Sequence, residues 1–150
     1  MNLADFTRPD LVFVDLPGSD RPTILKAMSD RLAESLDVGD PDTLYQRLWE
    51  REELGSTGIG SGVAIPHCKM QDLKDVVVAI GVSHRDVDFS SEDGVPVRLL
   101  FLVVSPQNKP ADHLRSLAAI SKWVKSGSHV EDLLQAEDPE EIYRLVQETG

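Results

Sequence analysis

Among the residues able to do chemistry, His67 has the most distinctive setting. It closes the run Ser56-Thr57-Gly58-Ile59-Gly60-Ser61-Gly62-Val63-Ala64-Ile65-Pro66-His67. Pro66 holds Ile65 in extended geometry and so helps fix the direction in which the chain enters His67. A free imidazole titrates at about pH 6.5, so at neutral pH much of it is the neutral, nucleophilic form. The glycine-dense stretch from Gly55 to Gly62 reads as a loop whose backbone N–H groups could cradle anionic oxygens. A histidine at the end of a strand beside such a loop suits a nucleophile acting on an anionic group. A structural histidine next to a plain flexible loop is the other reading of the same residues. The glycines do not make a dinucleotide fingerprint, because the third position after Gly58 and Gly60 is Val63 and Pro66 soon follows. No Gly-Lys-Ser/Thr of a P-loop occurs.

Four further residues bear on that chemistry. At about 100° per residue His113 falls within the helical stripe of Leu114, Leu117, Ile120 and Val124. It therefore faces inward beside the positive end of the helix dipole, as a satisfied core histidine or as a donor to an anion bound there. Arg51 lies at the edge of a Leu44/Leu48 stripe, with Glu52 nearer its middle. A buried carboxylate needs a partner, so Arg51 and Glu52 read as part of a polar cluster; a solvated helix end is the alternative. Cys68 adjoins His67, but consecutive side chains of an extended segment point to opposite faces. Two such ligands are also too few for zinc, so Cys68 reads as a small packing residue. His84 and His129 read as solvated. No paired-carboxylate pattern, Ser-His-Asp signature or HExxH motif is present.

The elements that must hold these residues follow from the pattern. Leu11–Leu16 reads as a strand ended by Pro17-Gly18. Ser19 or Asp20 caps a helix carrying Ile24, Leu25, Met28, Leu32 and Leu36 at helical spacing. Gly39-Asp40-Pro41 opens a second helix. Val63-Ala64-Ile65 is a short strand, Val76–Val82 and Val97–Val104 are buried strands, and Val87-Asp88-Phe89 is an edge piece. A turn at Glu92-Asp93-Gly94 implies an antiparallel pair. A helix runs from about Lys109-Pro110 to Lys125, and two short acidic helices close the chain. The expected architecture is α/β: residues 1–150 as a single domain, with a mixed, mostly parallel β-sheet of about five strands flanked by helices on both faces.

The chain carries 15 basic and 26 acidic residues over 150, a formal net charge of −11. That excess disfavours a nucleic-acid phosphate binder and an anionic membrane surface, and would steer a basic protein partner. The single cysteine excludes an internal disulfide and suits a reducing compartment, hence the cytoplasm. The N-terminus lacks the pattern of a secretory signal. The six-residue apolar run Leu99–Val104 is too short to span a bilayer, which needs about 20 residues.

In these motifs the chain resembles the enzyme IIA (EIIA) domains, type 2, of the phosphoenolpyruvate-dependent sugar phosphotransferase system, the fructose/mannitol and nitrogen-regulatory kind. The resemblance runs through Arg51-Glu52, Ser56-Thr57-Gly58-Ile59-Gly60 and Gly62 to His67, then Pro96-Val97, Pro106, His113-Leu114 and Leu117-Ala118. It implies that His67 is phosphorylated by the histidine phosphocarrier HPr or its nitrogen-branch counterpart. It also implies that His113 and Arg51 stabilise the phosphoryl group, with Glu52, Thr57 and Gly60 supporting them. The group would pass on to a cysteine of an enzyme IIB domain, with no cofactor or metal. The alternative it implies is a stand-alone nitrogen-regulatory IIA protein, whose phosphorylation state controls regulatory partners without onward transfer. Two positions depart from the family pattern. Cys68 stands where a small Gly or Ala is common, and Arg98 stands where an acid is common and is expected to alter the partner-facing surface.

Overall fold

Two apolar segments form the centre of the sheet. The computed structural model describes residues 2–71 and 73–149. In it Val77–Val87 and Val97–Pro106 pair antiparallel, with Val78 opposite Val103 and Ile80 opposite Phe101. Chain order names the strands β1 (Val12–Phe13), β2 (Gly58–Gly60), β3 (Val63–Ala64), β4 (His67–Met70), β5 (Val77–Val87) and β6 (Val97–Pro106). The six strands lie in the order β1-β5-β6-β3-β2, and β4 also pairs with β6. β1 runs parallel to β5, and β3 and β4 run parallel to β6; the β2–β3 hairpin and the β5–β6 pair are antiparallel. This is the mixed, mostly parallel sheet the pattern implies, with one strand more.

The helices are α1 (Arg21–Ser35), α2 (Pro41–Leu54), α3 (Pro110–Val124), α4 (His129–Gln135) and α5 (Pro139–Thr149). Asp20, not Ser19, caps α1: its carboxylate accepts from the Thr23 N–H at 2.9 Å. Asp40 caps α2, with Pro41 in the first turn, where the missing N–H costs nothing. Because strand side chains alternate, β6 feeds two cores. Leu100, Leu102 and Val104 pack with α1 and α2, while Leu99, Phe101 and Val103 pack with α3, α4 and α5. Helices thus cover both faces.

The N-terminal strand is shorter than the apolar run suggests. Asp15 adopts a left-handed backbone (φ 57°), which ends the extended segment before Leu16. The glycine-dense stretch is more ordered than a plain loop. Gly58–Gly60 forms β2, and the left-handed Gly60, Ser61 and Gly62 turn it back into β3. His129 is half-buried, not solvated. Its Nδ1 lies 3.1 Å from the Trp123 carbonyl and its ring centroid 5.2 Å from that of Trp123. His84 is exposed and meets Asp15 at 2.8 Å.

Gly81 of β5 faces α1. A Cβ there would come within 2.7 Å of Leu16 Cδ1 and 2.8 Å of Met28 Cε. Gly81→Ala therefore overpacks this contact and is expected to cost about 1–3 kcal/mol, read as a lower midpoint in urea unfolding with an unchanged slope.

Candidate functional site

β3 and β4 hold one register along β6. Val63 faces Leu99 and His67 faces Val103, with the strand interrupted at Ile65-Pro66. His67 is thus the first residue of β4, just past the interruption, where the β6 ladder fixes its backbone. Its Nδ1 lies 2.8 Å from the Ile65 carbonyl oxygen. A carbonyl only accepts, so Nδ1 carries the hydrogen and Nε2 presents its lone pair. The Ile65 carbonyl is itself held from behind: the Ile65 N–H donates to the Thr57 carbonyl at 2.9 Å.

His113, in the first turns of α3, is buried as the wheel implies, and its ring centroid lies 5.5 Å from that of His67. Its Nδ1 hydrogen-bonds the buried Ser105 hydroxyl of β6. When that hydroxyl donates, Nε2 of His113 carries the hydrogen and becomes a donor. Arg51, in the last turn of α2, lines the same cleft of about 430 Å³ as His67 and His113, and donates to the Gly55 carbonyl at 2.8 Å. The three residues that the family resemblance joins therefore share one cleft.

The Arg51–Glu52 cluster takes a different form from the expected one. Glu52 is 2% exposed and pairs with Arg21 of α1 at 3.3 Å, not with Arg51. Its carboxylate also accepts the Thr57 N–H (3.1 Å) and hydroxyl (2.6 Å). Arg21 and Glu52 are 31 residues apart in the chain, a pairing that local periodicity does not reveal. Gly60 lies apart from the cleft, in the hairpin, where a Cβ would meet Asp93 Oδ2 at 3.0 Å. Nor does the loop cradle an anion beside His67. The N–H groups of Thr57, Gly58 and Ser61 are taken by Glu52, Ser56 and Asp93, and residues 55–62 do not line the cleft. Arg98 ion-pairs with Asp86 at 2.7 Å and does not line it either.

Several lining residues escaped the sequence reading: Arg47, Glu50, Leu54 and Lys69. Spacing held a signal for two of them. Arg47 is one helical turn before Arg51, and Lys69 is two strand positions after His67. Leu114 also departs from the wheel, being 65% exposed. Cys68 is buried in the α1/α2 core, and burial pushes its thiol up to about 12. Among the described residues no group of three or more His, Cys, Asp or Glu is gathered to hold a metal ion. Nor is any helix among the described residues long and apolar enough to cross a membrane.

Burial holds His67 below the ordinary imidazole pKa; the Ile65 bond opposes this, the Arg51 charge reinforces it and Glu52 opposes it. Burial, His67 and Lys69 lower His113 as well. Both rings thus stay neutral to lower pH than a free imidazole. Unfolded imidazoles take up protons first, so the stability these two supply is complete above about pH 6.5 and is lost as pH falls further. An NMR titration should place both midpoints below about 6.5. Arg51→Gln, which removes a cation, should move the His67 midpoint upward; a downward move would contradict this electrostatic account.

The comparisons with known proteins supply the family and the fold. Residues 5–149 match the family model described as phosphoenolpyruvate-dependent sugar phosphotransferase system, EIIA 2, and the chain belongs to that family. It is accordingly a phosphoryl-transfer protein of that system. A nitrogen regulatory protein of Pseudomonas aeruginosa is 32% identical over 146 residues, which is 97% of this chain and 95% of that one. The fructose-specific EIIA component of Haloferax volcanii is 29% identical over 147 residues, covering 98% and 96%. The crystal structure of the nitrogen regulatory protein IIA-Ntr from Neisseria meningitidis superposes with a TM-score of 0.86 at 27% identity, covering 96% of this chain and 98% of that one.

Proposed function

We propose that His67 is the phosphoryl acceptor and that residues 1–150 work as one EIIA type-2 domain in the cytoplasm. The observation that carries this reading is the Nδ1 bond to the Ile65 carbonyl, which leaves Nε2 free in the cleft shared with His113 and Arg51. In the forward step Nε2 of His67 attacks phosphorus in the phosphohistidine of an HPr-like carrier or its nitrogen-branch counterpart. A new N–P bond forms, the carrier's N–P bond breaks, and the carrier imidazole leaves with the electron pair. Such a transfer needs positioning and neutralisation of the phosphoryl oxygens more than covalent assistance. The Arg51 guanidinium and the His113 Nε2–H serve as the donors. In the onward step a cysteine thiolate of an enzyme IIB domain attacks phosphorus and the His67 lone pair is restored.

The test is incubation with phosphoenolpyruvate, enzyme I and an HPr-like carrier. Acid-labile phosphate should appear on the protein and map to His67. Failure to acquire it, or its appearance on another residue, would remove the reading. A second reading draws support from the nitrogen regulatory relatives: phosphorylation of His67 toggles regulatory partners and nothing is passed on. Mixing the phosphorylated protein with enzyme IIB domains separates the two. Prompt transfer to the IIB cysteine marks the transport role. A stable phosphoprotein that gains or loses non-transport partners marks the regulatory one.

A further inference from the structure

One strand stands behind both imidazoles of the cleft. In β6, Val103 is the ladder partner of His67, and Ser105, two positions on, is the partner of Lys69. Strand side chains alternate, so Ser105 continues the face of Leu99, Phe101 and Val103, the face that α3 covers. It follows an unbroken apolar run and is itself fully buried. Among the described residues its hydroxyl has one hydrogen-bond partner, Nδ1 of His113. A buried hydroxyl hydrogen left without an acceptor is costly. If Nδ1 carried the ring hydrogen it would donate to Oγ, and the hydroxyl hydrogen would have no acceptor. The hydroxyl therefore donates, Nδ1 accepts, and the hydrogen of the neutral ring sits on Nε2. With Nδ1 turned to β6, Nε2 is the nitrogen that His113 offers to the cleft it lines. His67 has the reverse arrangement, because a carbonyl, which only accepts, stands behind its Nδ1. The two rings, centroids 5.5 Å apart, are thus held in opposite tautomers.

We propose that Ser105 is a positioning residue for phosphoryl transfer: by holding the ring hydrogen of His113 on Nε2, it makes that ring the donor beside the nucleophile. The inference rests on the cleft being the phosphoryl-transfer site. Ser105 does not line the cleft and acts only through His113. In the other tautomer His113 would aim a second bare lone pair at the anionic phosphoryl oxygens, and repulsion would replace a hydrogen bond. The group behind a histidine sets which ring nitrogen is protonated and how the ring is oriented. The helix turn that carries His113 is secured separately, since the buried Ser116 hydroxyl donates to the His113 carbonyl at 2.7 Å. Ser116 thus holds the backbone and Ser105 holds the ring.

The test begins with the unphosphorylated full chain, its histidines isotope-labelled, at about pH 8, well above the ordinary imidazole midpoint of about 6.5. Long-range proton–nitrogen NMR correlation reads which nitrogen of each ring is bare. His113 should carry its hydrogen on Nε2 and His67 on Nδ1. A hydrogen on Nδ1 of wild-type His113 would overturn the proposal. Phosphate uptake from an HPr-like carrier is then timed in variants. Ser105→Ala should admit the Nδ1–H tautomer at His113 and slow uptake about tenfold or more. Ser105→Thr keeps the hydroxyl and should restore both. In a His113→Ala background Ser105→Ala should slow uptake no further. An added loss there, or an undiminished rate in Ser105→Ala alone, sinks the positioning role. So does a Ser105→Thr protein that keeps the Nε2–H tautomer yet is as slow as Ser105→Ala. If Ser105→Ala did not fold, the wild-type tautomer and Ser105→Thr would still decide. Failure of wild type to load overturns the His67 reading and the transfer role built on it, whereas the NMR result judges the Ser105–His113 bond by itself.

Discussion

Replacing His67 by alanine should leave a folded protein that takes up no phosphate from the carrier, a fall of about 10³-fold or more. The residue is half-buried at the start of β4, and the cores on both faces of the sheet are assembled without it. Its removal takes away the side chain whose Nδ1 the Ile65 carbonyl holds, leaving its Nε2 lone pair toward the cleft. His113→Ala and Arg51→Ala should keep the acceptor and lose charge stabilisation, slowing uptake by about 10- to 10³-fold each. Rapid-quench measurement of phosphate incorporation resolves these three results. If His67→Ala gained phosphate at the wild-type rate, the nucleophile would have to lie elsewhere.

The second large effect is on stability. Glu52→Ala should cost about 3 kcal/mol or more, because it leaves the Thr57 N–H and hydroxyl buried without an acceptor and Arg21 without its counter-charge. Glu52→Gln keeps the shape and some acceptors and should cost less. Guanidinium unfolding checks both. The same variant should also disturb transfer, since Glu52 holds Thr57, Thr57 accepts from the Ile65 N–H, and the Ile65 carbonyl holds Nδ1 of His67. A looser Ile65 lets the ring turn and its tautomer change. The mark of this positioning role is a fall in transfer rate that persists at temperatures where Glu52→Ala is fully folded.

What the sequence disclosed was what local chemistry encodes. First-turn prolines, β-branched runs and helical spacing place α1, α2, α3 and β6 within a few residues, and the wheel turns His113 inward, whereas β5 runs on to Val87, joining the start of the expected edge piece. Four things escaped it for physical reasons. The partner of Glu52 is Arg21, on another helix, and no spacing encodes a pairing across the fold. The wheel gives the angular position of Leu114 but not how far the start of α3 overhangs its neighbours, so the side chain is exposed. His129 is held by Trp123, six positions away and across the α3–α4 junction, so its polar sequence neighbours misled. The glycine loop was legible as a turn but not as a strand, because β2 exists only through its pairing with β3.

The residue beside the acceptor has one more implication. Cys68 is the only sulfhydryl in the chain, it packs into the α1/α2 core beneath the cleft that it also lines, and its proton is held to about pH 12. Sulfur attacks phosphorus as thiolate, so if His67 carries the phosphoryl group as proposed, its un-ionised neighbour is a poor acceptor for it. On that reading the lifetime of the loaded state would be set by water and by whichever visitor brings an ionised sulfur of its own.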